Sequence, residues 1–436
     1  MSSQDEVRHP RPAARLPPRP GHGPRLPRAT DGDDEGLTSG WEVDGLLVAA
    51  AIGFAAAAVF LVSSSTQATP YDYFIRLADA FLHGRIALDQ APSWLNELVP
   101  ATNGSGWYVV YPPMPAVLLM PFVAVFGTGL AQQIPSALFG GVAVALVYVV
   151  LGRFTLTARA RALLTLTFGF GTAFWYVAEV GSAWYISQTV AVLFALAALL
   201  PALSRRAPFL VGLLLGCATL ARLPVGLTAP FYLAMLLGLD WPPRLPADRA
   251  RALRTIVGFG IGLAIPLACY AAYNLARWGT VVDLGYVRIP DIQADQFYQD
   301  GILSLSYIPR NLYAIFLRSW NFVDHPPWLQ PSWWGLAVPL TTPLILWLGR
   351  ARVRDPRVAY AIIGVALALI PIVTHGNVGV TQFGYRFSLD VQPLLWVILA
   401  TVFERGVSRW ATAAAIASIA ICAYGVVAIN LGFVAY

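Results

Sequence analysis

Asp72, Arg76, Asp79 and His83 are separated by four, three and four residues, so a helix over YDYFIRLADAFLHG stacks all four in one narrow sector. Two carboxylates, a guanidinium and an imidazole in one row could exchange protons and grip an anion, which is chemistry suited to a polar headgroup. Phe74, Leu77, Ala78 and Phe81 fall on the opposite side. Such a helix fits a membrane surface, half sunk with its charged row facing water. A solvated face without chemistry would have the same pattern, and the rest of the chain bears on the choice.

Of 436 residues, 57% are hydrophobic and only 12% charged, with a mean hydropathy of +0.61. That balance excludes a set of soluble domains and implies a polytopic membrane protein. Runs such as 46–62, 134–151 and 412–432 can cross about 30 Å of hydrocarbon as helices, where lipid admits no open strand. The expected fold class is therefore all-α. The net charge of +6 carries no nucleic-acid signal, because the arginines sit in short loops between apolar runs. Cys217, Cys269 and Cys422 are too scattered for a metal site or a disulfide framework, and no metal or other cofactor is expected, although a divalent ion stays open.

Residues 1–44 are rich in Pro and Arg, then briefly acidic, and have nothing to bury, so they read as a disordered cytoplasmic tail. Residues 45–436 form the transmembrane domain, its first span read as an uncleaved anchor. Six arginines in the tail, from Arg8 to Arg28, place the amino terminus inside by the positive-inside rule. Further clusters at Arg153/Arg159/Arg161, Arg205/Arg206, Arg244/Arg249/Arg251/Arg254, Arg350/Arg352/Arg354/Arg357 and Arg405/Arg409 then require an even number of crossings between neighbours. This parity predicts about eleven spans, those after the second outer loop near 332–348, 358–374, 387–403 and 411–430, with large outer loops at 64–132 and 275–331. It makes the proline-broken run 112–127 an interfacial helix, and it splits the stretch between Arg206 and Arg244 into two short spans meeting at Arg222. SYIPRNLYAIFLRSWN is expected to form another amphipathic helix, with Arg310, Arg318 and Asn321 on one side.

With this topology the ionisable residues outside the tail and the cytoplasmic loops gather on the outer side, and the span interiors are almost free of charge. An ion-coupled carrier would need charge at mid-depth, whereas an enzyme working on a lipid headgroup needs it at one surface. The span followed by YDYFIRLADAFLHGRIAL and then WYVVYPPMPAVLLMPFVAVFG resembles the GT-C glycosyltransferases, multi-span enzymes that include protein O-mannosyltransferases and lipid A aminoarabinose transferases. GSAWYISQ, the LARLP break, YNLARWGTVVDLGY and FGYRFSLDVQPLL extend the resemblance over most of 45–400. Those two enzyme types carry Asp-Glu at the head of the first outer loop, whereas Asp72 here is followed by Tyr73.

The resemblance implies a polyprenyl-phosphate sugar donor, transfer to a lipid, glycan or protein acceptor, and a site on the outer face of the plasma membrane. A sugar on a polyprenyl phosphate already has a good leaving group, so one carboxylate suffices to take the acceptor proton during inverting attack. Asp72 is expected in that role, with Asp79 the alternative. Arg222, Arg386 and Arg310 or Arg318 are expected to hold the phosphate, with paired hydrogen bonds that suit its accumulating charge. Arg76 and His83 share the helix row and join the expected substrate contacts; Glu179 joins them as a second acidic group in an outer turn. Competing readings are a transporter or flippase of lipid-linked saccharides and a non-catalytic envelope-assembly subunit.

Overall fold

The computed structural model describes residues 43–64, 69–102, 104–244 and 246–434. The tail expected over 1–44 lies outside the described residues except for Val43 and Asp44, and the second compact unit is Gly45–Tyr436. Helix α1 (Val43–Ser63) leads to the short α2 (Tyr73–Leu82), a hairpin of β1 (Leu98–Pro100) and β2 (Trp107–Val109), and α3 (Met114–Phe126). Then come α4 (Gln133–Leu151), α5 (Ala158–Phe170), α6 (Phe174–Val180), α7 (Ala183–Leu203), α8 (Pro208–Thr219), α9 (Ala229–Leu237) and α10 (Arg249–Trp278). A long loop carries α11 (Ile308–Phe316) and the two-residue strands β3 (Asn321–Phe322) and β4 (Leu329–Gln330); α12 (Val338–Thr341), α13 (Pro356–Thr374), α14 (Gln392–Phe403) and α15 (Arg409–Asn430) follow.

The fold is all-α apart from the two hairpins. Among the described residues, six helices are long and apolar enough to cross a membrane (α1, α4, α7, α10, α13 and α15), and a seventh crossing is possible if α5 and α6, bent by 50°, act as one. The expected pair of short spans around Arg222 is present as α8 and the apolar helix Leu223–Leu237, and α14 is equally short. Twelve residues of helix rise only about 18 Å, so α8 and α14 need their broken extensions to approach the other face. The count of about eleven full spans is thus an overestimate by length. The clearest difference is 332–348, expected as a span: it forms only the four-residue α12 and a 3-10 segment over Pro343–Arg350. Pro339 sits in the first turn of α12, where its missing N–H costs nothing, but Pro343 removes an N–H and crowds the preceding turn, which ends α12 at Thr341.

Contacts sort the loops onto two ends. At one end Glu404 accepts from the Thr155 N–H at 3.1 Å and pairs with Arg357 at 2.8 Å, Arg159 donates to Thr412 Oγ1 at 3.1 Å, and Tyr360 donates to the Asp240 carbonyl at 3.2 Å. At the other, the Ala183 N–H donates to Tyr71 O at 3.1 Å, Met114 N–H to Leu220 O at 3.1 Å and Ser304 N–H to Thr374 O at 2.8 Å. The first end carries the arginine clusters. Four of the helices that begin there are capped by a side chain accepting a backbone N–H: Thr157 for α5, Asp248 for α10, Asp355 for α13 and Ser408 for α15.

Small residues let the helices approach closely. A Cβ on Gly212 of α8 would stand 2.1 Å from the Phe259 carbonyl oxygen of α10, and one on Gly262 would stand 2.0 Å from that of Phe209. Between α1 and α4, Gly53 and Gly141 face each other in the same way, each with the other's carbonyl oxygen within 2.9 Å of its missing Cβ. Backbone cannot retreat as a flexible side chain can. Gly212→Val should therefore cost about 1–3 kcal/mol or prevent folding, whereas Gly260→Val, which meets nothing within 4 Å, should leave the melting temperature in detergent unchanged.

Candidate functional site

Helix α2 buries Tyr73, Phe74, Ile75, Leu77, Ala78 and Ala80, and keeps its ionisable row on the other side. The row is paired within itself. Asp72, at the N-cap position, takes the Arg76 Nε–H at 2.8 Å; Asp79 stands 3.5 Å from the exposed His83 and 3.7 Å from Arg85. Tyr71 and Tyr73, either side of Asp72, lie with ring centroids 4.7 and 6.3 Å from Trp184 at the start of α7. The Trp184 indole N–H in turn donates to Glu97 Oε2 at 2.9 Å, and the Glu97 backbone N–H donates to the Tyr73 hydroxyl at 3.1 Å. Glu97 and the two tyrosines on either side of Asp72 in sequence therefore meet at one indole.

Glu97 is half-buried, and its Oε1 accepts no hydrogen bond among the described residues while not being sealed from solvent. Such a group lines a recess. Loss of water pushes its carboxyl up to about 7, against the opposing pull of the Trp184 hydrogen bond and the Arg386 charge. Across the recess, Arg386 opens a 3-10 segment running to Asp390 and is buried, its guanidinium 4.9 Å from the Tyr185 ring and 5.0 Å from the Phe387 ring. Its Nε and Nη1 have no acceptor, and it makes no ion pair among the described residues. Arg222 differs. It holds the fully buried Asp390 carboxylate through Nη2 at 2.7 Å and Nε at 3.0 Å, and its guanidinium lies 5.1 Å from the same Phe387 ring.

His375, just past α13, completes the wall. Its ring meets Tyr286, Tyr298 and Phe387 edge to face at 6.2, 5.7 and 6.0 Å, and its Nδ1 stands 3.1 Å from the Asn377 backbone nitrogen and 3.0 Å from the Asn377 carbonyl oxygen. Burial, helped by the charges of Arg222, Arg386 and Arg310, brings its pKa down to about 4, so it is neutral at pH 7. Burial also raises the Tyr286 and Tyr298 hydroxyls, with the Glu97 charge adding to the effect.

Among the sequence candidates, Arg222 and Arg386 are thus brought together around Phe387, with Arg310 in electrostatic reach at His375. Arg310 itself donates to the Gly376 carbonyl and lies 4.8 Å from the Tyr307 ring. Arg318 stands apart, beside Tyr313 and Trp334, because α11 ends at Phe316 instead of running to Asn321, which pairs in β3 with Gln330. Glu179 is not solvated in an outer turn. It is fully buried, takes the Asn430 side-chain amide at 3.1 Å and belongs to the junction of α6 with the ends of α1 and α15. No group of three or more His, Cys, Asp or Glu side chains stands together as a metal site among the described residues. Tyr286 and Tyr298 carry no local signal in the sequence, and Glu97, Trp184 and His375 are legible there only as an acid, an aromatic and a histidine of the outer side.

The same helices and loops recur in a solved protein. ArnT from Cupriavidus metallidurans, bound to undecaprenyl phosphate, superposes with a TM-score of 0.52 at 16% identity over 88% of this chain and 64% of that one. The fold is GT-C. ArnT is a lipid A aminoarabinose transferase of the GT-C glycosyltransferase class. Its apo form gives a TM-score of 0.47 at 16% identity over 83% of this chain and 60% of that chain. The oligosaccharyltransferase of Archaeoglobus fulgidus, also apo, gives 0.47 at 14% identity over 90% of this chain and 56% of that chain. The matched region spans 64% of the ArnT chain's length, less than two thirds of it. No family model and no curated protein sequence matches it.

Glu97 gives the recess a pH signature. Its folded pKa lies above the unfolded value of 4.5, so the folded state binds the proton more tightly and loses stability as pH rises from about 4.5 to about 7. Glu97→Gln, which cannot ionise, should therefore gain melting temperature relative to the wild type between pH 5 and pH 8 in detergent. A gap that stays constant across that range would contradict the shift.

Proposed function

We propose that this protein is an integral-membrane glycosyltransferase that moves a sugar from a polyprenyl-phosphate donor to an acceptor hydroxyl at the outer face of the plasma membrane. The observation that carries this is Arg386: a buried guanidinium with unmatched donors, in an aromatic recess at the loop-rich end of a GT-C fold. A buried cation without a counter-ion is costly, and a phosphate would supply both the charge and the acceptors. The undecaprenyl phosphate bound in ArnT supports the choice of anion. Arg222 carries much of its charge to Asp390 already, so its part is to fix Phe387 and Asp390 beneath the phosphate and to add to the positive field.

In the reaction, the acceptor oxygen attacks the anomeric carbon from the side opposite the phosphate, the C–O bond to the phosphate breaks, and the configuration inverts. Arg386 stabilises the negative charge gathering on the departing phosphate. A carboxylate removes the acceptor proton, and Asp72 suits the role because it lies between two tyrosines that pack near Trp184 and is held by Arg76. Asp79 is turned to His83 and Arg85 at the exposed end of α2 and is the weaker candidate. The neutral His375 leaves Arg386 free of a competing cation at contact distance. Which loops face outward follows from charge: the arginine-rich end belongs in the cytoplasm with the amino terminus, and the recess lies at the opposite end.

Purified protein in lipid nanodiscs, given radiolabelled polyprenyl-phosphate sugars and a mixed acceptor extract, should transfer label. Asp72→Asn should lower the rate by roughly 10²–10⁴-fold and Arg386→Ala by roughly 10²–10³-fold, with Arg386→Lys intermediate. Label that crosses liposomes with no bond made would favour a lipid-linked saccharide flippase instead. For sidedness, a cysteine at Trp94 should react with an impermeant maleimide in intact cells and one at Val353 only after lysis; the reverse pattern would overturn the outward-facing recess.

A further inference from the structure

Glu97 has no role in the phosphate clamp or in proton removal, yet it is linked to the surroundings of both. On one side its carboxylate is tied to the Trp184 indole, which carries Tyr71 and Tyr73 and with them Asp72; on the other it feels the Arg386 charge. In a donor whose phosphate sits on Arg386 and whose anomeric carbon faces a hydroxyl activated near Asp72, the part spanning the gap is the sugar itself. That ring would lie along Trp184 and Glu97. A carboxylate with one oxygen fixed and the other uncommitted is well made to accept sugar hydroxyls, and the indole offers an apolar face beside it.

We propose that Glu97 is the residue that recognises the transferred sugar, accepting one or two of its hydroxyls through Oε1 while Trp184 holds Oε2. The inference rests on the donor reading given above and deepens it. Three features support it. The Trp184 bond and the Tyr73 hydroxyl at the Glu97 backbone fix the carboxylate from two elements, so its position does not depend on the loop alone. Asp295, the other acid in electrostatic reach, is exposed and already accepts the Phe297 N–H at 2.8 Å, so it is no rival for the role. The half-desolvated carboxylate also has hydrogen bonds to gain, which sugar hydroxyls would restore.

The test compares binding of bare undecaprenyl phosphate with binding of undecaprenyl-phosphate hexoses and pentoses to the full chain in nanodiscs, by titration with intrinsic tryptophan fluorescence. Wild type should bind the best of these sugar lipids roughly ten- to hundredfold tighter than the bare lipid phosphate. Glu97→Ala should erase that preference while keeping the affinity for undecaprenyl phosphate, Glu97→Gln should keep part of it, and Arg386→Ala should weaken both ligands together. If Glu97→Ala is misfolded by size exclusion, the decision passes to Glu97→Gln and to Trp184→Phe, which removes the N–H that fixes Oε2. A preference retained in the Glu97 and Trp184 variants would overturn the inference and leave the phosphate reading standing. Wild type that binds bare lipid phosphate with no sugar preference would do the same. No binding of either ligand would remove the donor reading and the inference with it.

Discussion

A guanidinium buried without a counter-ion is the condition on which the site is built. Arg386 lies between Tyr185 and Phe387, its backbone amide and carbonyl engaged by the Gln382 and Gln188 side chains, while two of its side-chain nitrogens have no acceptor. The rings compensate partly through cation–π attraction, worth about 2 kcal/mol or more when desolvated, and the Glu97 charge helps from across the recess. The remaining deficit is what makes an anion welcome. Arg222 shows the alternative: the same side-chain type, on the same Phe387 ring, is satisfied by Asp390 and has little left to offer.

Membrane burial explains why these groups sit where they do. Helix interiors in lipid satisfy their own backbone and leave no room for free charge, so ionisable residues collect at the two ends. One end spends its charges on itself, through the Arg357, Asp355 and Glu404 network and the side-chain caps. The other end pairs some of its charges, as in Asp72 with Arg76 and Arg85 with Asp89, but among the described residues leaves Arg386 without an ion pair and Glu97 half-matched. Close glycine crossings between α8 and α10 and between α1 and α4 keep the frame rigid enough to hold that imbalance.

Legibility in the sequence followed the range of the interactions. The α2 row was readable because Asp72 to Arg76 is one helical turn, and the same spacing now appears as a 2.8 Å ion pair. The break at Arg222 was readable from Leu223-Pro224 and from the parity of arginine clusters. The 332–348 stretch misled because its hydropathy is that of a span while Pro343 stops the helix that starts at Val338. Glu179 misled for the opposite reason: it sits beside a turn in sequence but is covered by α1 and α15, which no local pattern announces.

Sequence alone determined the class of molecule: apolar run lengths and loop arginines dictate a helical membrane protein with charge confined to loops, because lipid penalises every other arrangement residue by residue. Tertiary structure alone decided which charges meet. Glu97 reaches Trp184 across 87 positions and Arg222 reaches Asp390 across 168, and such pairings depend on how helices cross and loops fold back. Composition could count the carboxylates and guanidiniums on the outer side; only packing could bury the Arg386 guanidinium with two of its nitrogens unmatched.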